Sequence, residues 1–184
     1  MRRARWAVGG TAVVGVLLVG GWWIAYGDQG HPFGDGRACA GSDVPLQQAL
    51  DGVRLGLPEG AEDVHYVTHA TAPEGDVRVA VAFRSTRRAM QTYLSENRIV
   101  TKGLDTLDDG RFENGDVGAE PKTLGMCGGV KVILGPAVGI EKKVDVGGAA
   151  EYVDIAMQLS DDLSGSIRTP TDVLITVRNA PFWG

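Results

Sequence analysis

The chain has 184 residues, 43% of them hydrophobic, and a formal net charge of −5. Arg2, Arg3 and Arg5 are its only basic residues before residue 27, so residues 27–184 hold 15 basic against 23 acidic side chains, a net charge near −8. A surface that acidic repels phosphates and excludes nucleic acid as an expected partner, and a length of 158 residues supports one domain with its own core rather than two.

Residues 7–26 (AVGGTAVVGVLLVGGWWIAY) carry no charge. At about 1.5 Å per residue, such a helix spans roughly 30 Å, the thickness of a bilayer's hydrocarbon core. Basic flanks stay on the cytoplasmic side, which gives a cytoplasmic tail at 1–5, a transmembrane signal anchor at 6–26 and an extracytoplasmic remainder. Trp6 at the inner end and Trp22, Trp23 and Tyr26 at the outer end suit the headgroup levels. A cleavable signal peptide is the alternative, but its apolar region usually runs about 7–15 residues and ends at a small-x-small site. The nearest A-x-A match, Ala38-Cys39-Ala40, lies well beyond the apolar run, and Arg37 before it argues against lipidation of Cys39.

Residues 27–41 are rich in glycine and polar side chains and read as a flexible linker, with His31 solvated; the extracytoplasmic domain then covers 42–184. Asp43 is placed to cap a short helix through Leu50, with Gly52 near its stop, and Val53–Leu57 is a candidate short strand. Val64–Thr71 and Val77–Arg84 form a hairpin around Pro73-Glu74-Gly75-Asp76. In its second strand Val77, Val79, Val81 and Phe83 share one face, with Arg78 and Arg84 on the other. Ser85 or Thr86 caps a helix through Glu96 that turns Ala89, Met90, Tyr93 and Leu94 toward the sheet, and Asn97 is its stop. The acidic, glycine-punctuated stretch 101–120 reads as a long exposed loop. Short strands at Val130–Leu134 and Lys142–Val146 follow. In Glu151–Leu159, Val153, Ile155, Met157 and Leu159 alternate inward, with Glu151 on or near the surface. A polar loop spans Ser160–Thr171, and Val173, Ile175 and Val177 line a last strand before the aromatic tail Pro181-Phe182-Trp183-Gly184. The fold class is α+β, a mainly antiparallel domain of six or seven strands with one clear helix.

Cys39 and Cys127 both fall in the exported part, where two thiols without a C-x-x-C arrangement are expected to form a disulfide. The run Leu55-Gly56-Leu57-Pro58 with Ala61, Asp63, Val64 and Tyr66, and the strand Val77–Phe83 leading into Met90-Gln91-Thr92-Tyr93-Leu94, resemble membrane-anchored or lipoprotein-like exported proteins of actinobacteria. The likeness covers about a third of the chain. It implies location and fold and no reaction, and the lipobox cysteine common in that group is missing.

Catalytic signals are sparse. His65 and His69 would pair on a helix, but in strand-like sequence they share a face about 13 Å apart. Against an EF-hand loop, Asp105, Asp109, Gly110 and Glu113 match, whereas Leu107 breaks the third position and Asp116 replaces the bidentate glutamate. G-x-S-x-G, P-loop, dinucleotide and H-E-x-x-H patterns are absent, so no catalytic, cofactor or metal residue is assigned. The leading expectation is a non-catalytic module tethered to the lipid bilayer through residues 7–26 that binds an envelope protein or cell-wall component. An envelope enzyme with a site near His65 and His69, and a structural subunit associating through small-xxx-small spacing at Thr11–Gly15 and Gly21–Ala25, are the alternatives.

Overall fold

The computed structural model describes residues 31–99, 111–113, 116–146, 149–161 and 166–179. The apolar run with Trp6, Trp22, Trp23 and Tyr26, the acids Asp105 and Asp109, and the aromatic tail lie outside them. No helix among the described residues is long and apolar enough to cross a membrane.

The domain is α+β. Its main antiparallel sheet contains β1 (Glu62–Thr68), β2 (Val77–Ser85), β3 (Arg111–Glu113), β6 (Ala137–Val146), β7 (Ala149–Gln158) and β8 (Thr171–Asn179), in the order β1-β2-β8-β7-β6-β3. A separate pair, β4 (Asp116–Val117) and β5 (Ile133–Leu134), lies outside this sheet. Among the described residues, two α-helices, α1 (Leu46–Gly52) and α2 (Arg87–Glu96), and a short 3-10 helix at Pro32–Gly34 complete the regular structure.

Alternation in the strands builds the core. Val79, Val81 and Phe83 of β2 sit across from Val177, Ile175 and Val173 of β8, which in turn face Val153, Ile155 and Met157 of β7. Leu46, Ala49 and Leu50 of α1 and Met90, Tyr93 and Leu94 of α2 close over that face. Thr86 caps α2 by accepting a bond from the Ala89 N–H at 3.2 Å.

Both helices end in the same way. The Leu55 N–H reaches the Leu50 carbonyl at 3.1 Å around Arg54 (φ +56°), and the Ile99 N–H reaches the Leu94 carbonyl at 2.8 Å around Arg98 (φ +52°). These are six-to-one closures with an arginine in the left-handed position that glycine usually occupies. They explain one correction: Val53–Leu57 is not a strand, because Val53 and Leu55 are buried as the wrapped end of α1. Asp43 does not cap α1 either. Its carboxylate accepts from the Ala70 N–H at 2.6 Å, and α1 follows Pro45 with no side-chain cap.

A second correction concerns Arg78 and Glu151. The register slips between Val77 and Val79, and this bulge turns Arg78 to the helix-covered face, where its Nη2 lies 3.0 Å from Glu151 Oε2. Glu151 is buried at 8% side-chain exposure, not on the surface, while Val77 lines grooves on the opposite face. Third, 101–120 is not loop throughout, since β3 pairs with Ala137–Gly139 and β4 with β5. The 160–171 segment likewise buries Ile167, which bridges to Leu159.

The last part of the expected linker is folded. Ala38 forms a parallel bridge with Tyr66, the Cys39 N–H donates to the Tyr66 carbonyl at 2.8 Å, and the Asp43 N–H donates to Thr68 at 3.0 Å. Residues 37–43 thereby cover the edge that β1 would otherwise expose.

Candidate functional site

The sheet face away from the helices carries small side chains, Ala80 and Ala82 on β2 and Ala156 on β7. Small residues permit close approach. Residues 118–135 cross this face, where Leu124, Met126, Val130 and Ile133 pack against Ala82, Ala137, Ala156 and Leu174. Gly118 lies so near that a Cβ there would fall 3.0 Å from Ala156 Cβ. This cap is pinned to the N-terminal segment by the Cys39–Cys127 disulfide, whose Cα atoms are 5.3 Å apart. The sequence-based pairing is thus present in the fold.

Grooves open on either side of the cap. One, of about 520 Å³, is lined by Val67, His69, Asp76, Ala80 and Leu124. The other, of about 750 Å³, is lined by Asp63, His65, Arg84, Lys131, Arg168 and Asp172, with Ala82 and Leu174 at its base. Arg84 is shared between Asp63 at 3.6 Å and Asp172 at 3.5 Å. Lys131 and Arg168 are exposed and form no ion pair with a described residue. Leu134, at 56% exposure, is an apolar contact on the same rim.

No protein-family model, curated protein or solved structure matches the chain.

The structure does not bring His65 and His69 together, because they line different grooves. His65 instead sits against the disulfide, with Nδ1 3.9 Å from Cys127 Sγ. Glu113 lies on β3 opposite Ala137, so a strand interrupts the stretch matched to a calcium loop. The one group of His, Cys, Asp or Glu side chains placed to share a metal ion among the described residues is Cys39, His65 and Cys127. Arg84, Lys131, Arg168 and Asp172 were not singled out from sequence. The available signal was the alternation of Ala80 and Ala82 opposite the apolar face of β2, which marks a covered second face.

Asp35, Arg37 and Tyr66 perturb one another at the N-terminal segment. The Arg37 guanidinium, 2.8 Å from Asp35, holds that carboxyl well below the usual carboxylate range, helped by the Arg37 N–H and the Tyr66 hydroxyl. Burial first, and then the bond to Asp35, pushes the Tyr66 phenol up. Across the molecule, burial raises the Tyr93 phenol well above its ordinary value; its hydroxyl has no partner among the described residues.

Proposed function

We propose that this chain is a membrane-tethered extracytoplasmic binding domain with no catalytic role, and that the His65 side of the cap is its recognition surface. The occupant is a segment of an envelope protein bearing carboxylates. The observation that carries this reading is the pair of exposed cations, Lys131 and Arg168, on one rim of a domain whose net charge is otherwise strongly negative. Acidic partners are repelled by the rest of the surface and orient toward that rim, a use of charge that sets specificity and association rate more than affinity. Leu134 and the apolar base of the groove supply the burial that charges alone do not. The charge-free run 7–26 behind three arginines, together with the disulfide, supports placement outside the membrane.

An acidic probe tests the reading. Full-length chain in detergent micelles should bind a fluorescent oligoglutamate peptide in a salt-sensitive manner. The Lys131→Glu/Arg168→Glu double variant should bind at least about tenfold more weakly, which is about 1.4 kcal/mol. Equal binding by both proteins, or none by either, would remove the groove as the recognition surface.

A further inference from the structure

The disulfide has a third residue beside it. The ligand atoms of Cys39, Cys127 and His65 all lie within 4.8 Å of one another. Cys39 is buried, whereas Cys127 and His65 are half-buried, and His65 faces the larger groove. The His65 ring is held there by the backbone that follows Cys127. A Cβ on Gly128 would fall 2.1 Å from His65 Cε1, and Gly128 has φ +71°, so the turn and the ring occupy their positions together only because residue 128 has no side chain. The Cys127 N–H donates to Cys39 Sγ at 2.8 Å, a bond that would also stabilise a Cys39 thiolate.

We propose that the reduced chain binds one zinc-class divalent ion through Cys39, Cys127 and His65, leaving the fourth position directed at the groove. Zinc–sulfur bonds of about 2.3 Å and zinc–nitrogen bonds of about 2.0–2.1 Å in tetrahedral geometry place the sulfurs about 3.8 Å apart and each sulfur about 3.5 Å from the nitrogen. His65 Nδ1 already stands 3.9 Å from Cys127 Sγ, so the main adjustment is separation of the two sulfurs. Two thiolates and one imidazole suit a borderline-soft ion better than calcium or magnesium. Three protein ligands with a fourth position left to water or a small ligand set this site apart from closed, four-ligand structural zinc sites.

The chemistry balances with an external reductant. An exogenous phosphine gives two electrons and one water gives the oxygen and two protons, so that the Cys39–Cys127 bond breaks to two thiols and the phosphine becomes its oxide. Metal binding then forms two sulfur–metal bonds and one nitrogen–metal bond, releases both thiol protons and displaces metal-bound water. Either cross-link, disulfide or metal, ties residue 39 to the cap.

The test uses full-length chain in detergent micelles, reduced with a phosphine and titrated anaerobically with Co²⁺, then with Zn²⁺. One Co²⁺ per chain should bind with a thiolate-to-cobalt charge-transfer band, and Zn²⁺ should displace it. His65→Ala should weaken binding at least tenfold, His65→Cys should restore it, and the oxidised chain should give no such band. A folded reduced chain without the band, a His65→Ala variant that binds as tightly, or an oxidised chain that binds equally would overturn the site. Should reduction unfold the chain, recovery of the native circular dichroism on adding one equivalent of Zn²⁺ supports the proposal, and failure to recover refutes it.

Discussion

The buried pair of Arg78 and Glu151 lends itself to a double-mutant cycle. Glu151 retains 8% side-chain exposure and Arg78 21%, their contact is 3.0 Å, and Arg78 Nε has no partner among the described residues. The guanidinium also lies beside the C-terminus of α1, with Nη2 3.4 Å from where a Gly52 Cβ would stand, a position that favours a cation. Removing one member of a fully buried pair costs about 3–5 kcal/mol, because the remaining charge stays desolvated. Arg78 keeps some contact with water, so Glu151→Ala should cost about 2–3 kcal/mol, a drop in Tm of roughly 5–10 °C for a domain of this size. Glu151→Gln, which keeps the shape and an acceptor, should cost about 1 kcal/mol. Arg78→Met/Glu151→Leu should return to within about 1 kcal/mol of the parent, since both charges leave together. Urea unfolding of the full chain in mild detergent, with the disulfide intact, of the parent, Arg78→Met, Glu151→Leu and the double variant measures all four corners. If Glu151→Ala lies within 0.5 kcal/mol of the parent on the roughly ±0.5 scale of ordinary surface changes, or the two single costs simply add, the pair is not the buried couple described here.

Three further predictions concern the connections around the sheet. Reduction of Cys39–Cys127 in the absence of metal opens a loop of 88 residues and should cost at most about 4–5 kcal/mol in the chain-entropy view, read from urea midpoints with and without a phosphine. Asp35 has its folded-state pKa depressed, chiefly by the Arg37 side chain, so its stabilisation is fully present above its ordinary value of 3.8 and is lost as the pH falls below it. Asp35→Asn should flatten that part of the acid limb and leave the pH 6–8 region as it is in the parent; an unchanged acid limb would show that the contact contributes nothing. Arg98→Gly should stabilise by about 0.5–1 kcal/mol by relieving the left-handed conformation, partly offset by the entropy of glycine in the unfolded chain, and a loss of stability would contradict the six-to-one closure of α2.

Local periodicity explains what could be read in advance. The alternations in Val77–Phe83, Val153–Leu159 and Val173–Val177 depend only on neighbours two residues away, and all three strands form. Thr86 and the 3.6-residue spacing of Met90, Tyr93 and Leu94 likewise mark α2 without tertiary information. The misreadings arise where distant segments decide. One inserted residue between Val77 and Val79 sends Arg78 to the face its alternation denied it, where it meets Glu151, which β7's own unbroken alternation places on the face of Val153 and Ile155. Asp43 has capping chemistry, but the Ala70 N–H competes for it from β1's far end. β3 becomes a strand because β6 offers it a free edge, not through a pattern of its own. The candidate site shares this limit: Asp63, Lys131, Arg168 and Asp172 come from four segments that only the cap and the sheet bring to one groove.

The central claim, that the His65 side of the cap is where a partner sits, is tested most directly by site-specific photo-crosslinking in the native membrane. A photoreactive residue at position 134, on the groove rim, should give a discrete adduct that disappears with Lys131→Glu/Arg168→Glu. The same residue at the exposed position 48, on α1 across the sheet, should give none. An adduct of equal yield from both positions, one that survives the charge reversal, or no adduct from position 134 would contradict the account.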